Sequence, residues 1–145
     1  MISAEDILRA GILIVDDNET NVHLLQGMLR IAGYVSVEST TNPREVCDLY
    51  SRNRYSLIIL DLEMPGMDGF EVMAALNEAG GDSYLPVIAT TAEPRHKLRA
   101  LKAGAKDFID KPFEMAELRA RVRNIIEIGL LYAETAKLGK LLAER

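Results

Sequence analysis

The sequence predicts an α/β domain built on a five-stranded parallel sheet with helices on both faces and an extended helix at the C-terminus. Short apolar runs recur at Ile12–Val15, Tyr34–Val37, Leu57–Leu60, Val87–Ala89 and Phe108–Ile109, each too short for a helix and rich in branched side chains. Segments of helical spacing alternate with them. The runs are also mostly apolar rather than alternating, as expected of strands buried on both faces.

The helices announce themselves twice, by spacing and by their ends. Val22, Leu25, Leu29 and Ile31 precede Gly33, and Val72, Ala75, Leu76 and Ala79 precede Gly80 and Gly81, so glycine closes both segments. Asn42-Pro43-Arg44-Glu45 supplies a cap, a proline at the first helical position and an acid at the third. Asp68-Gly69-Phe70-Glu71 repeats the cap and the acid, and Asp17 or Asn18 is placed to cap the helix after the first run.

Composition restricts the function classes. The 145 residues are 48% hydrophobic and 27% charged, enough for one domain with one substantial core. With 17 Lys plus Arg against 22 Asp plus Glu, the formal charge is -5, and no long basic run exists to follow a phosphate backbone. Direct nucleic-acid binding by this chain is not expected. No cationic start leads into an apolar stretch, and no apolar run approaches the roughly 20 residues of a membrane span, so the expected location is cytoplasmic. A single cysteine, Cys47, rules out an intrachain disulfide and a Cys-rich zinc site, and it reads as a small core hydrophobe.

Sheets of this class bind ligands at the carboxyl ends of their strands, and the residues there are chemically loaded. Asp16 and Asp17 follow the first run, Asp61 the third, Thr90 and Thr91 the fourth, and Asp110 and Lys111 the fifth; the second ends uncharged at Ser39 to Thr41. If the strand order is 2-1-3-4-5, strands one and three are neighbours and Asp16, Asp17 and Asp61 converge. Two carboxylates about 4 Å apart repel by roughly 4 kcal/mol at an effective dielectric of 20, so a trio calls for a cation. Oxygen-only ligands favour Mg²⁺ or Mn²⁺ over Zn²⁺. A lysine and a hydroxyl across the crevice would add a cation and a donor for phosphoryl oxygens. Each part alone has a plain structural explanation, an Asp-Asp pair as a helix cap and Thr-Thr as strand propensity. Their joint placement at four strand ends points to phosphoryl chemistry.

From about Gly11 to Ile128 the chain resembles the receiver domains of bacterial two-component response regulators. Ile12-Leu13-Ile14-Val15-Asp16-Asp17-Asn18 resembles that family's first strand and acidic pair, and Leu57-Ile58-Ile59-Leu60-Asp61 through Gly69 its phosphoacceptor strand and loop. Pro86 to Ala92 is similar to the fourth strand, and since the family's hydroxyl residue precedes Ala, Thr91 rather than Thr90 is the match. Gly104-Ala105 and Lys111-Pro112-Phe113 complete the set, the Lys-Pro bond being usually cis in the family.

The resemblance implies a flavodoxin-like fold of order 2-1-3-4-5 and a signalling switch that acts on no external substrate but catalyses part of its own phosphorylation and dephosphorylation. Asp61 would take a phosphoryl group from a histidine kinase or phosphotransfer protein. Asp17, Asp61 and the Glu63 backbone carbonyl would bind Mg²⁺, with Asp16 acting largely through water, and Lys111 would share the neutralisation of charge. Thr91 would swing toward the phosphoryl group and Phe108, where the family often has tyrosine, would rotate inward. Glu63 and Glu93, two beyond Asp61 and Thr91, are expected to tune acyl-phosphate lifetime. His23 and His96 read as ordinary histidines away from the strand ends.

The organisation expected is an N-terminal extension over 1–10, a receiver domain over 11–128 and a helical linker or coiled-coil start over 129–145. Leu118, Val122 and Ile125 form one apolar stripe, for the sheet, whereas Ile128, Leu131, Thr135, Leu138 and Leu142 form a second, for a partner helix, reading best as a second copy. Gly129 and Gly139 each cost roughly 1 kcal/mol there relative to Ala. Such a tail resembles the helices that join receivers to output domains, so the sequence reads as the N-terminal part of a longer regulator. Two other readings are weaker. An Asp-nucleophile phosphohydrolase would need a substrate cap, for which there is no insertion, and an FMN protein would need a Ser/Thr/Gly-rich phosphate loop where Asp16-Asp17-Asn18 stands.

Overall fold

The computed structural model describes residues 1–80 and 84–144. A short helix α1 (Ala4–Leu8) precedes β1 (Ile12–Val15), α2 (Glu19–Ile31), β2 (Val37–Thr40), a 3-10 turn (Pro43–Glu45) running into α3 (Val46–Asn53), and β3 (Leu57–Asp61). Then come α4 (Gly69–Gly80), β4 (Val87–Thr91), α5 (His96–Lys102), β5 (Asp107–Asp110) and the long α6 (Met115–Ala143). The strands form one parallel sheet of order β2-β1-β3-β4-β5. Gly81 lies outside the described residues.

Two cores sandwich the sheet because alternate residues of each strand face opposite sides. Leu13, Val15, Ile58, Leu60, Val87 and Ala89 pack under α3, α4 and α5. Ile12, Ile14, Leu57, Ile59, Ile88 and Ile109 pack under α2 and α6, where Leu118, Val122 and Ile125 are buried as their spacing predicts and Ile126 joins them. Ile7 of α1 is buried in this second core. Cys47 is half-buried against the first core, and burial pushes its thiol up.

The helix starts carry the predicted caps. Asn18 Oδ1 accepts from the N–H groups of Thr20 and Asn21, so Asn18 rather than Asp17 caps α2. Asn42 caps the 3-10 turn by accepting from Arg44 N–H, and at the start of α4 the Asp68 and Glu71 carboxylates each accept from the other's backbone N–H.

Two expectations shift. The second strand is Val37–Thr40, not Tyr34–Val37. It is an edge strand paired with β1 alone, so the ladder register, Ile12 opposite Val37, places it where the sequence is polar. Tyr34 still enters the core, from the loop, while Val35 is exposed. On α2, Ile31 falls off the apolar stripe and is 77% exposed.

Candidate functional site

Adjacency of β1 and β3 delivers the convergence that the strand-end residues imply. One carboxylate oxygen from each of Asp16, Asp17 and Asp61 lies within 4.8 Å of the others. Asp61 ends β3, 2% exposed, and Asp16 follows β1, 1% exposed, while Asp17 faces solvent. Lys111, beyond β5, donates from Nζ to Asp61 Oδ1 at 2.8 Å and stands 3.9 Å from Asp16 Oδ2. The Lys111–Pro112 bond is cis.

Local backbone geometry holds the acids. Asp16 Oδ1 accepts from Asn18 N–H at 2.9 Å, and Asp61 Oδ1 also accepts from Glu63 N–H at 3.2 Å. Asp16 Oδ2 is buried with no hydrogen-bond partner. The loop after Asp61 is folded tightly onto the start of α4, where Gly69 donates to the Leu62 carbonyl at 3.2 Å. A Cβ on Gly69 would fall 2.5 Å from the Asp61 carbonyl oxygen and 2.8 Å from Leu62 Cα, so the close approach requires glycine.

Burial pushes the Asp61 carboxyl up to about 7, the Asp16 charge adds to the rise, and Lys111 and the Glu63 N–H oppose it. For Lys111, burial disfavours the charged form, but the hydrogen bond to Asp61 and the charges of Asp61, Asp16 and Glu63 outweigh it and raise its ammonium above the ordinary lysine value.

The β4 and β5 side of the crevice is arranged differently. Thr90 pairs with Asp61 in the ladder and has a buried hydroxyl without a partner. Thr91, one residue on and fully buried, accepts from Glu93 N–H at 2.9 Å and so engages its own loop. Phe108 is half-buried, with Lys97 Nζ 4.7 Å and Arg121 Cζ 5.7 Å from its ring centroid. Those cations also pair with its strand, Lys97 with Asp110 at 2.8 Å and Arg121 with Asp107 at 2.7 Å. Glu93 is exposed beside Arg95, whereas Glu63 turns inward and accepts from Ala92 N–H at 3.1 Å.

One placement corrects the sequence reading. His23 is exposed on α2, but His96 is not remote: its Nδ1 lies 3.5 Å from Glu63 Oε2, at the edge of the site. The signal was topological. A helix that follows β4 must start at the carboxyl edge of the sheet, so its first residue stands beside the crevice whatever its spacing suggests.

Comparisons with known proteins agree with this architecture. The response regulator receiver domain family model matches residues 12–123. The chain is 42% identical over 117 residues to an uncharacterized transcriptional regulatory protein, YkoG, of Bacillus subtilis, covering 79% of this chain and 50% of that protein. It is 36% identical over 129 residues to the response regulator PleD of Caulobacter vibrioides, covering 88% of this chain and 28% of that one. The chain thus spans half or less of the length of these two relatives. Among solved structures, the receiver domain of a sensor histidine kinase from Pseudomonas aeruginosa, with a magnesium ion coordinated in its active-site cleft, superposes with a TM-score of 0.74 at 30% identity, covering 82% of this chain and 98% of that one. Vibrio cholerae chemotaxis protein CheY4 gives 0.73 at 29%, covering 81% and 98%. Fold, strand-end chemistry and matched length agree, and the chain belongs to the receiver domain family of two-component response regulators.

Proposed function

We propose that this receiver takes a phosphoryl group on Asp61 from a histidine kinase or a phosphotransfer protein and transmits the change through its β4–β5 side and C-terminal helix. The observation that carries this reading is the contact of Lys111 Nζ with Asp61 Oδ1 at 2.8 Å inside a cluster of three carboxylates. An Asp61 oxygen attacks phosphorus as the bond from phosphorus to the donor breaks, the donor leaving with the electron pair. Lys111 offsets charge on the phosphoryl oxygens. Water later attacks phosphorus, the bond to Asp61 breaks, and carboxylate and inorganic phosphate are released.

The donor set fits a hard dication, Mg²⁺ or Mn²⁺: it is oxygen-only, and the buried Asp16 Oδ2 lacks any partner. Asp17, Asp61 and the Glu63 carbonyl would hold the ion, with Asp16 acting through water. When bound, it supplies charge neutralisation for the transferring group.

Thr91 is the hydroxyl that moves to the phosphoryl group, giving up its bond to Glu93 N–H, and Phe108 follows inward from between Lys97 and Arg121. Thr90, although opposite Asp61 in the ladder, precedes the loop that has to shift. Glu63 and Glu93 tune acyl-phosphate lifetime. The receiver unit spans 11–128 and is preceded by 1–10, and the linker over 129–145, in which α6 runs to Ala143 and Arg145 lies outside the described residues, leads toward an output domain or a second copy. Its stripe is available for that: Ile128, Leu131, Leu138 and Leu142 are all exposed. Among the described residues no helix is long and apolar enough to cross a membrane, and we place the chain in the cytoplasm with its kinase.

Acetyl phosphate with Mg²⁺ should add one phosphoryl group by intact mass, alkali-labile and absent in Asp61→Asn or in EDTA. An adduct retained by Asp61→Asn would refute the assignment, and repeated turnover of sugar phosphates would indicate a hydrolase.

A further inference from the structure

We infer that His96 is a positioning residue for the chemistry at Asp61, acting through the Glu63 carboxylate; the inference rests on the phosphoacceptor reading above. His96 opens α5, and its ring meets Phe70 edge-on, with centroids 5.7 Å apart and planes at 88°. That contact aims Nδ1 at Glu63 Oε2, 3.5 Å away. Both atoms are buried and neither has a hydrogen-bond partner. Two orphaned polar atoms side by side are costly, and closing the gap by about half an ångström satisfies both at once, with Nδ1–H donating to Oε2. The other oxygen of the same carboxylate, Oε1, already accepts from Ala92 N–H at 3.1 Å. Glu63 is thereby held from two sides against the β4–α5 segment.

This tether matters because Glu63 stands two residues beyond Asp61, where its N–H bonds the Asp61 carboxylate. In hydrolysis of the acyl phosphate, a water oxygen bonds to phosphorus, the phosphorus–oxygen bond to Asp61 breaks, and Asp61 leaves as carboxylate with the electron pair. The water must also give up a proton. A free carboxylate beside the phosphoryl group would accept that proton as a general base; one whose two oxygens are engaged by Ala92 and His96 is a poor acceptor. His96 therefore prolongs the phosphorylated state. Phe70 fixes the ring, so the effect depends on the donor at Nδ1 and not on filling the space.

The test uses the full chain, loaded with acetyl phosphate and Mg²⁺, freed of donor by gel filtration and followed by intact mass. His96→Phe, which keeps an aromatic ring against Phe70 but has no donor, should shorten the lifetime about two- to tenfold, the range for loss of one hydrogen bond. His96→Asn, with an N–H near the place of Nδ1, should restore it to within about twofold of wild type. In a Glu63→Ala background, His96→Phe should have no further effect. An unchanged or longer lifetime in His96→Phe overturns the inference, as does a shortening that persists in Glu63→Ala or that His96→Asn fails to reverse. A wild-type chain that takes up no phosphoryl group would instead sink the phosphoacceptor reading, and this inference with it.

Discussion

The two halves of the crevice are built differently. On the β1–β3 side the groups are already assembled: Asp16 and Asp61 are buried and braced by local N–H groups, and Lys111 reaches across from the end of β5 to contact Asp61. On the β4–β5 side, Thr91 engages its own loop and Phe108 is held between two cations at the surface. Chemistry needs preorganisation, because every ångström of rearrangement during transfer raises the barrier. A switch needs the opposite, a second arrangement only a few kcal/mol away. Under the proposed function, the contrast assigns these two tasks to different parts of one sheet edge.

Substitutions on the assembled side should do the most damage. Lys111→Ala should slow phosphoryl uptake from acetyl phosphate by about 10²–10³-fold, the range for removing one preorganised donor. A near-wild-type rate would mean that the 2.8 Å contact is only structural. Next, Gly69→Ala forces a Cβ to within 2.5 Å of the Asp61 carbonyl oxygen and should cost about 1–3 kcal/mol in urea unfolding.

A further effect separates the halves by pH. The folded Asp61 carboxyl holds its proton up to about 7, whereas the unfolded chain releases it near 3.8. The folded state therefore binds the extra proton between these values, and in metal-free buffer the Asp61 contribution is intact below about 3.8 and is lost as pH rises through about 7. Melting temperatures in EDTA should fall over that window for wild type and less for Asp61→Asn, which should be the more stable of the two at pH 8. Equal slopes would show that the trio carries no such strain.

The smallest effect belongs to the β4–β5 side. Lys97→Ala removes a surface pair with Asp110 and a cation over Phe108, and should change stability by less than about 1 kcal/mol. A larger loss would mean that the β4–β5 side is as rigidly built as its neighbour.

What the sequence could show was whatever depends on neighbours along the chain or on repeated pattern. β1 is legible to the residue because a strand buried on both faces must be apolar throughout. The caps at Asn42 and Asp68 are legible because they bond two or three residues ahead. Lys111, Asp61 and the acidic pair were legible as strand-end residues, and the resemblance joined them.

Distant packing decided the rest. The position of β2 came from pairing at an edge, where half the strand need not be apolar, and so the apolar run before it misled. Gly69 could be read as part of a cap, but the carbonyl that forbids any side chain there lies eight residues back, across a fold in the loop. His96 joined the site only because β3 and β4 lie side by side and bring Glu63 under the first turn of α5. Periodicity records which side of an element meets the core; it holds no information on which polar atoms from separate loops are left facing one another, since that depends on the three-dimensional meeting of segments far apart in the chain.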